Sequence, residues 1–237
     1  MVTEPKATAP VADAGKQAAP APRLQRPRAP KAPPAETSPP TTRAKPKQTH
    51  MGSAVARLLG GTDDGMVEVR LLDDRVVQVR QVVRDLRPWK GPLPADFDLV
   101  PNKEAIDVRG VCGYPELAVV AGFRARGWDA RWRNTFGRVG WWLAIGRDEA
   151  LPPEPHLVIT RITRRAGQIA GARGIPYGGA GIWDVLAWRE RKYLFVEMNG
   201  EESRNDDRLL WLEAALALEV PESAFAVLRY TVAHLAP

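Results

Sequence analysis

Two carboxylates in the stretch GIWDVLAWRERKYLFVEMNG, residues 181–200, are spaced for chemistry. VLAW and YLFVEM are rich in branched and aromatic side chains, as strands are. Between them RERK is a polar four-residue loop of ordinary hairpin length. Pairing Trp188 with Tyr193 places Asp184 directly opposite Glu197. Opposed residues share one face of a sheet, and opposed like charges destabilise it. A bound cation reverses that sign, and Mg²⁺ suits such a pair because it takes a few carboxylate oxygens and keeps several waters. The other reading is a slipped register, which leaves the acids apart in water at a solvated hairpin end.

The elements around the hairpin must position these acids. YPELAVVAGFRARGW (114–128) predicts a helix: Pro115 suits its first position, Glu116 its first turn and Gly127 its end. WDARWRNTFG (128–137) alternates as a strand does, and GWWLAIG (140–146) is apolar. LVITRITRRAGQIAGARG (157–174) predicts a basic helix. Its Arg161, Arg164, Arg165 and Arg173 stand on a side that faces either solvent or phosphate. After the hairpin, Asn205 or Asp206 can cap a helix over 206–220 whose buried face is Leu209, Leu212, Ala215, Leu216 and Leu218. AFAVLRYTVAHL reads as a closing strand. Further upstream, 66–81 reads as two alternating strands around Asp73-Asp74, and 95–111 as irregular. The order from 114 predicts an α/β core with a mixed sheet covered by helices.

The first fifty residues differ in kind. They hold eleven of the 22 prolines and no Phe, Trp or Tyr, too little apolar surface to offset the entropy of ordering. Nine Lys or Arg against three Asp or Glu give this segment the chain's entire +6, since the remainder carries 25 of each sign. A disordered basic arm suggests DNA or another polyanion as a partner, or else a solubilising linker. The expected organisation is a tail over 1–52, a small β-rich module or N-terminal extension over 53–111, and the α/β core over 112–237. One cysteine, Cys112, and three scattered histidines exclude disulfide frameworks and zinc fingers. The apolar runs are too short for a membrane span, and the tail lacks the apolar stretch of a signal peptide, so a cytoplasmic protein is expected. No phosphate loop or nucleophile elbow occurs, and no organic cofactor is expected.

The order of elements, with these residues on them, resembles the PD-(D/E)XK nuclease superfamily and within it the VRR-NUC-type branch. That superfamily's core is a helix carrying a glutamate, a strand, a hairpin bearing an aspartate and then Glu-x-Lys, a helix and a closing strand. Ile182-Trp183-Asp184 stands where the Pro-Asp element would be, and Glu197-Met198-Asn199 where Glu-x-Lys would be. Trp183 thus replaces the proline and Asn199 the lysine. Glu116 matches the first-helix glutamate. RLLWLEAAL resembles the branch's next helix, with Arg208 where a glutamine is often found. The resemblance covers residues 114–232, roughly half the chain.

The resemblance implies a restriction-endonuclease-like fold and a Mg²⁺-dependent DNA nuclease, with Mn²⁺ expected to substitute. Asp184 and Glu197 would be direct metal ligands, the Met198 carbonyl a third, and Glu116 an outer or second-metal ligand. Asn199 can hydrogen-bond a water but carries no positive charge. Arg204, and less suitably Lys192, are substitutes for the missing cation, although an arginine is a poor proton acceptor. The alternative is a catalytically weak or inactive nuclease fold that binds DNA or serves in an assembly, including a homo-oligomer. A third reading makes the acids a buried structural cluster.

Overall fold

The structure is a computed structural model that describes residues 51–95, 97, 103–134, 140–144, 147–179, 181–198 and 206–233. Of the expected tail, residues 1–50 lie outside these residues, whereas 51–52 begin a helix. In chain order the elements are α1 (Met51–Leu59), β1 (Thr62–Arg70), β2 (Val76–Leu86), β3 (Ile106–Val108), β4 (Val111–Gly113), α2 (Pro115–Arg124), β5 (Asp129–Asn134), β6 (Gly140–Ala144), β7 (Arg147–Asp148), α3 (Pro153–Arg173), β8 (Val185–Arg189), β9 (Lys192–Met198), α4 (Asp206–Ala217) and β10 (Phe225–Val232). This is an α/β protein. Its eight-stranded mixed sheet runs β1-β2-β10-β9-β8-β5-β6-β7.

Strand β10 is parallel to both of its neighbours, β2 and β9, and the other pairs are antiparallel. A parallel neighbour needs a crossover, and α4 supplies the one from β9 to β10. The β1–β2 hairpin expected around Asp73-Asp74 forms, with Asp74 in the left-handed region at φ 64°. It joins the common sheet through β2 and β10. Residues 62–86 therefore extend the core sheet. The segment 95–111, read as irregular, contributes most of the small β3–β4 hairpin. Helix α1 has no counterpart in the sequence reading.

Alternation along the strands divides the core into two layers. Val185 and Ala187 of β8, with Leu194 and Val196 of β9, pack with α1 and α2 on one face. Leu186, Trp188 and Phe195 pack with α3 and α4 on the other. Helix α3 buries Pro155, Ile159, Ile162, Ala166 and Ala170, a helical spacing, and leaves Arg161, Arg164 and Arg165 exposed. It stops at Gly174, whose φ of 66° suits a residue without a Cβ. Helix α4 is buried at every position from Leu210 to Ala215, because it lies between α3 and the sheet. Leu218, expected in its buried face, is exposed. The helix ends at Ala217, one residue before Leu218, and its buried stretch ends at Ala215.

Candidate functional site

The hairpin has the register that its residues predict. Trp188 pairs with Tyr193 and Val185 with Val196. The loop is shorter than expected: Arg189 pairs with Lys192, so Glu190 and Arg191 alone make the turn, with Glu190 at φ 56°. Shortening the loop symmetrically keeps the register, and continuing the ladder one step past Val185–Val196 puts Asp184 opposite Glu197. The Asp184 carbonyl accepts the Arg133 amide at 2.7 Å, which continues the ladder to β5. Its side-chain Oδ2 accepts the Met198 amide at 2.9 Å.

A cation does lie between the two acids, and it is a guanidinium. Arg208 Nη2 donates to Asp184 Oδ1 at 3.2 Å, and Arg208 Nη1 pairs with Glu197 Oε1. Glu197 is nearly buried, with its side chain 9% exposed, whereas those of Asp184 and Arg208 are 21% and 24% exposed. The apolar surroundings of Glu197 come from its own face of the sheet. Trp183, Phe195, Phe225 and Trp211 form a chain of ring contacts with centroids 5.0–5.2 Å apart. Such contacts add roughly 0.5–1.5 kcal/mol per pair beyond area burial and hold the strand ends in place.

Arg208 is placed by a tight backbone approach. A Cβ at Gly181 would run into the Asp207 carbonyl, so only glycine lets the backbone at this position lie against the start of α4. Asp207 Oδ2 also accepts the Gly178 amide at 3.0 Å. These two contacts bring the first turn of α4 to the open end of the hairpin. Val69, Trp183, Glu197, Arg208, Leu209, Leu212 and Val227 line a small cavity there, of about 80 Å³.

Glu116 belongs to the other layer. It is fully buried in the first turn of α2 and pairs with Lys103. Burial pushes its carboxyl pKa up, Lys103 pulls it down, and the charge of Asp184 pushes it up again, with a net rise. Tyr230 on β10 feels the same negative field. Its hydroxyl is pushed up to about 12, first by burial and then by Glu116, Glu104 and Asp184. Glu116 therefore senses Asp184 electrostatically. Among the described residues it does not join Asp184 and Glu197 in one three-carboxylate cluster.

The remaining expected site residues fall as follows. Met198 is buried at the end of β9 and anchors Asp184 through its amide. Asn199 and Arg204 lie outside the described residues. Arg161, Arg164 and Arg165 are exposed on α3. Arg173 is engaged by the buried Glu213 at 2.5 and 2.9 Å, which directs its guanidinium into the α3–α4 contact. Two residues escaped the sequence reading as site members. Arg208 carried one signal, its place at the helix start. Lys103 carried none, because it sits in a segment without periodicity.

The donor set is compatible in kind with a hard divalent cation. It is all oxygen, and Glu197 Oε2 and Glu116 Oε2 are buried without a hydrogen-bond partner. One or two carboxylates with waters suffice for Mg²⁺. Compared with protein-family models, curated proteins and solved structures, the chain finds no match. No helix among the described residues is long and apolar enough to cross a membrane.

Proposed function

We propose that the chain is a divalent-metal-dependent DNA nuclease with a restriction-endonuclease-like core. The observation that carries this reading is the convergence of Asp184, just before β8, and Glu197, on β9, on a single positive charge. The sequence of α2, β5, β8, β9, α4 and β10, with β10 parallel to β9, supports it. A bound Mg²⁺ or Mn²⁺ would activate water and relieve charge on phosphorus. Asp184 and Glu197 would hold it. The Met198 amide orients Asp184, and Glu197, its side chain 9% exposed, shares a small cavity with Trp183, Leu209, Leu212 and Val227. Lys103 pairs with Glu116 in the other layer of the core.

A specific observation favours a second reading, a DNA-binding module without turnover: Arg208 already pairs with both acids. Asp184→Ala separates the two. A nuclease loses Mg²⁺- or Mn²⁺-dependent cleavage of plasmid DNA by roughly 10²-fold or more. A binding module cleaves nothing before or after the change and binds an oligonucleotide equally well. Absence of cleavage by the unmodified chain with either metal, over several DNA forms, would overturn the nuclease reading.

A further inference from the structure

Arg208 presents one guanidinium to two carboxylates, Asp184 just before β8 and Glu197 on β9. The backbone beneath it is clamped by the Gly181–Asp207 approach and by the Gly178–Asp207 hydrogen bond. Its side chain is a long stem, 24% exposed, that can rotate while the helix start stays in place. The oxygens it contacts, Asp184 Oδ1 and Glu197 Oε1, are among those a divalent ion would need. A guanidinium and a divalent ion cannot share these oxygens, and at such separations two positive charges repel.

We propose that Arg208 is a tethered counter-cation that competes with a divalent metal ion for the Asp184–Glu197 pair and so sets the metal concentration at which the site loads. The proposal rests on the nuclease reading of that pair. With no metal bound, the guanidinium offsets the repulsion between opposed acids and lets the hairpin end close. With metal bound, it must turn outward from the hairpin end. An arginine turned outward there offers a planar fork that matches phosphate oxygens.

The test is Mn²⁺ binding to the full chain without DNA, followed by electron paramagnetic resonance of the free ion. Arg208→Gln removes the charge and is expected to bind Mn²⁺ roughly tenfold more tightly, an ordinary size for coupled sites. Arg208→Lys keeps the charge on a compact ammonium that spans two acids less well, so its affinity should fall between the two. Asp184→Asn should weaken binding, which places the ion at this pair. Equal or weaker Mn²⁺ binding by a folded Arg208→Gln variant overturns the competition while leaving the metal site standing. Should Arg208→Gln fail to fold by circular dichroism, Arg208→Lys decides, with affinity no tighter than the unmodified chain counting against the proposal. Binding unaffected by Asp184→Asn, or no binding to any variant, overturns the metal reading and the competition together.

Discussion

Asp184 Oδ2 accepts the Met198 amide at 2.9 Å, which ties the acid before β8 to the residue after Glu197. The bond fixes one carboxylate oxygen on the backbone and turns the other toward Arg208. The acid is thus a structural tie as well as a candidate ligand. Asp184→Ala leaves the Met198 amide and Arg208 without this acceptor and should cost about 1–3 kcal/mol. Asp184→Asn keeps an acceptor oxygen and should cost less. Urea denaturation of both variants checks the order.

Glu116 gives stability a pH dependence of known sign. Its folded pKa is raised above the ordinary 4.5, chiefly by burial. The folded state therefore holds this proton more tightly than the unfolded chain does. The group's stabilising contribution is complete below about pH 4.5 and is lost as pH rises through the folded value. Glu116→Gln should remove that component. Melting temperatures measured from pH 4.5 to 7.5 should fall more steeply with pH in the unmodified chain than in the variant, and parallel curves would contradict the assignment.

Gly181→Ala should destabilise the chain by about 1–3 kcal/mol, the usual range for overpacking. The added methyl meets the Asp207 carbonyl and the Arg208 amide, which are backbone atoms that cannot rotate away. Because the same contact sets the start of α4, the variant should also lose any effect of Arg208 on Mn²⁺ affinity. Denaturation and metal titration of one preparation test both.

Arg173 and its neighbours on α3 should separate by phenotype. Arg173→Ala leaves Glu213, with its side chain only 5% exposed, without its bidentate partner. It should lower stability, because the nearly buried Glu213 loses its partner, and leave DNA affinity nearly unchanged. Arg161→Ala, Arg164→Ala and Arg165→Ala are surface changes that should cost within about 0.5 kcal/mol. If that face meets phosphate, each lowers the salt dependence of DNA binding. Fluorescence anisotropy at several salt concentrations distinguishes the two classes.

Removing residues 1–50 deletes the chain's entire net charge of +6. DNA affinity should fall, most at low salt, and the slope of log affinity against log salt should become shallower, since counterion release follows phosphate contacts. The same affinity and slope after truncation would leave the segment as a linker.

The sequence by itself determined what depends on neighbours in the chain. The branched and aromatic runs VLAW and YLFVEM and the short polar turn between them marked the hairpin and its register, which extended one step sets Asp184 against Glu197. The apolar spacing of α3 and the Pro115 start of α2 were legible for the same reason, because period and capping are local. Only the tertiary structure decided which cation stands between the acids. Arg208 lies eleven residues past Glu197, and it reaches the pair because α4 crosses over the sheet and Gly181 admits its first turn. Lys103 meets Glu116 across thirteen residues of chain with no regular pattern. The parallel pairing of β2 with β10 joins segments about 146 residues apart, so no local pattern could mark the β1–β2 hairpin as part of the core sheet. Local spacing specifies which side chains share a face. Long-range packing specifies what that face meets.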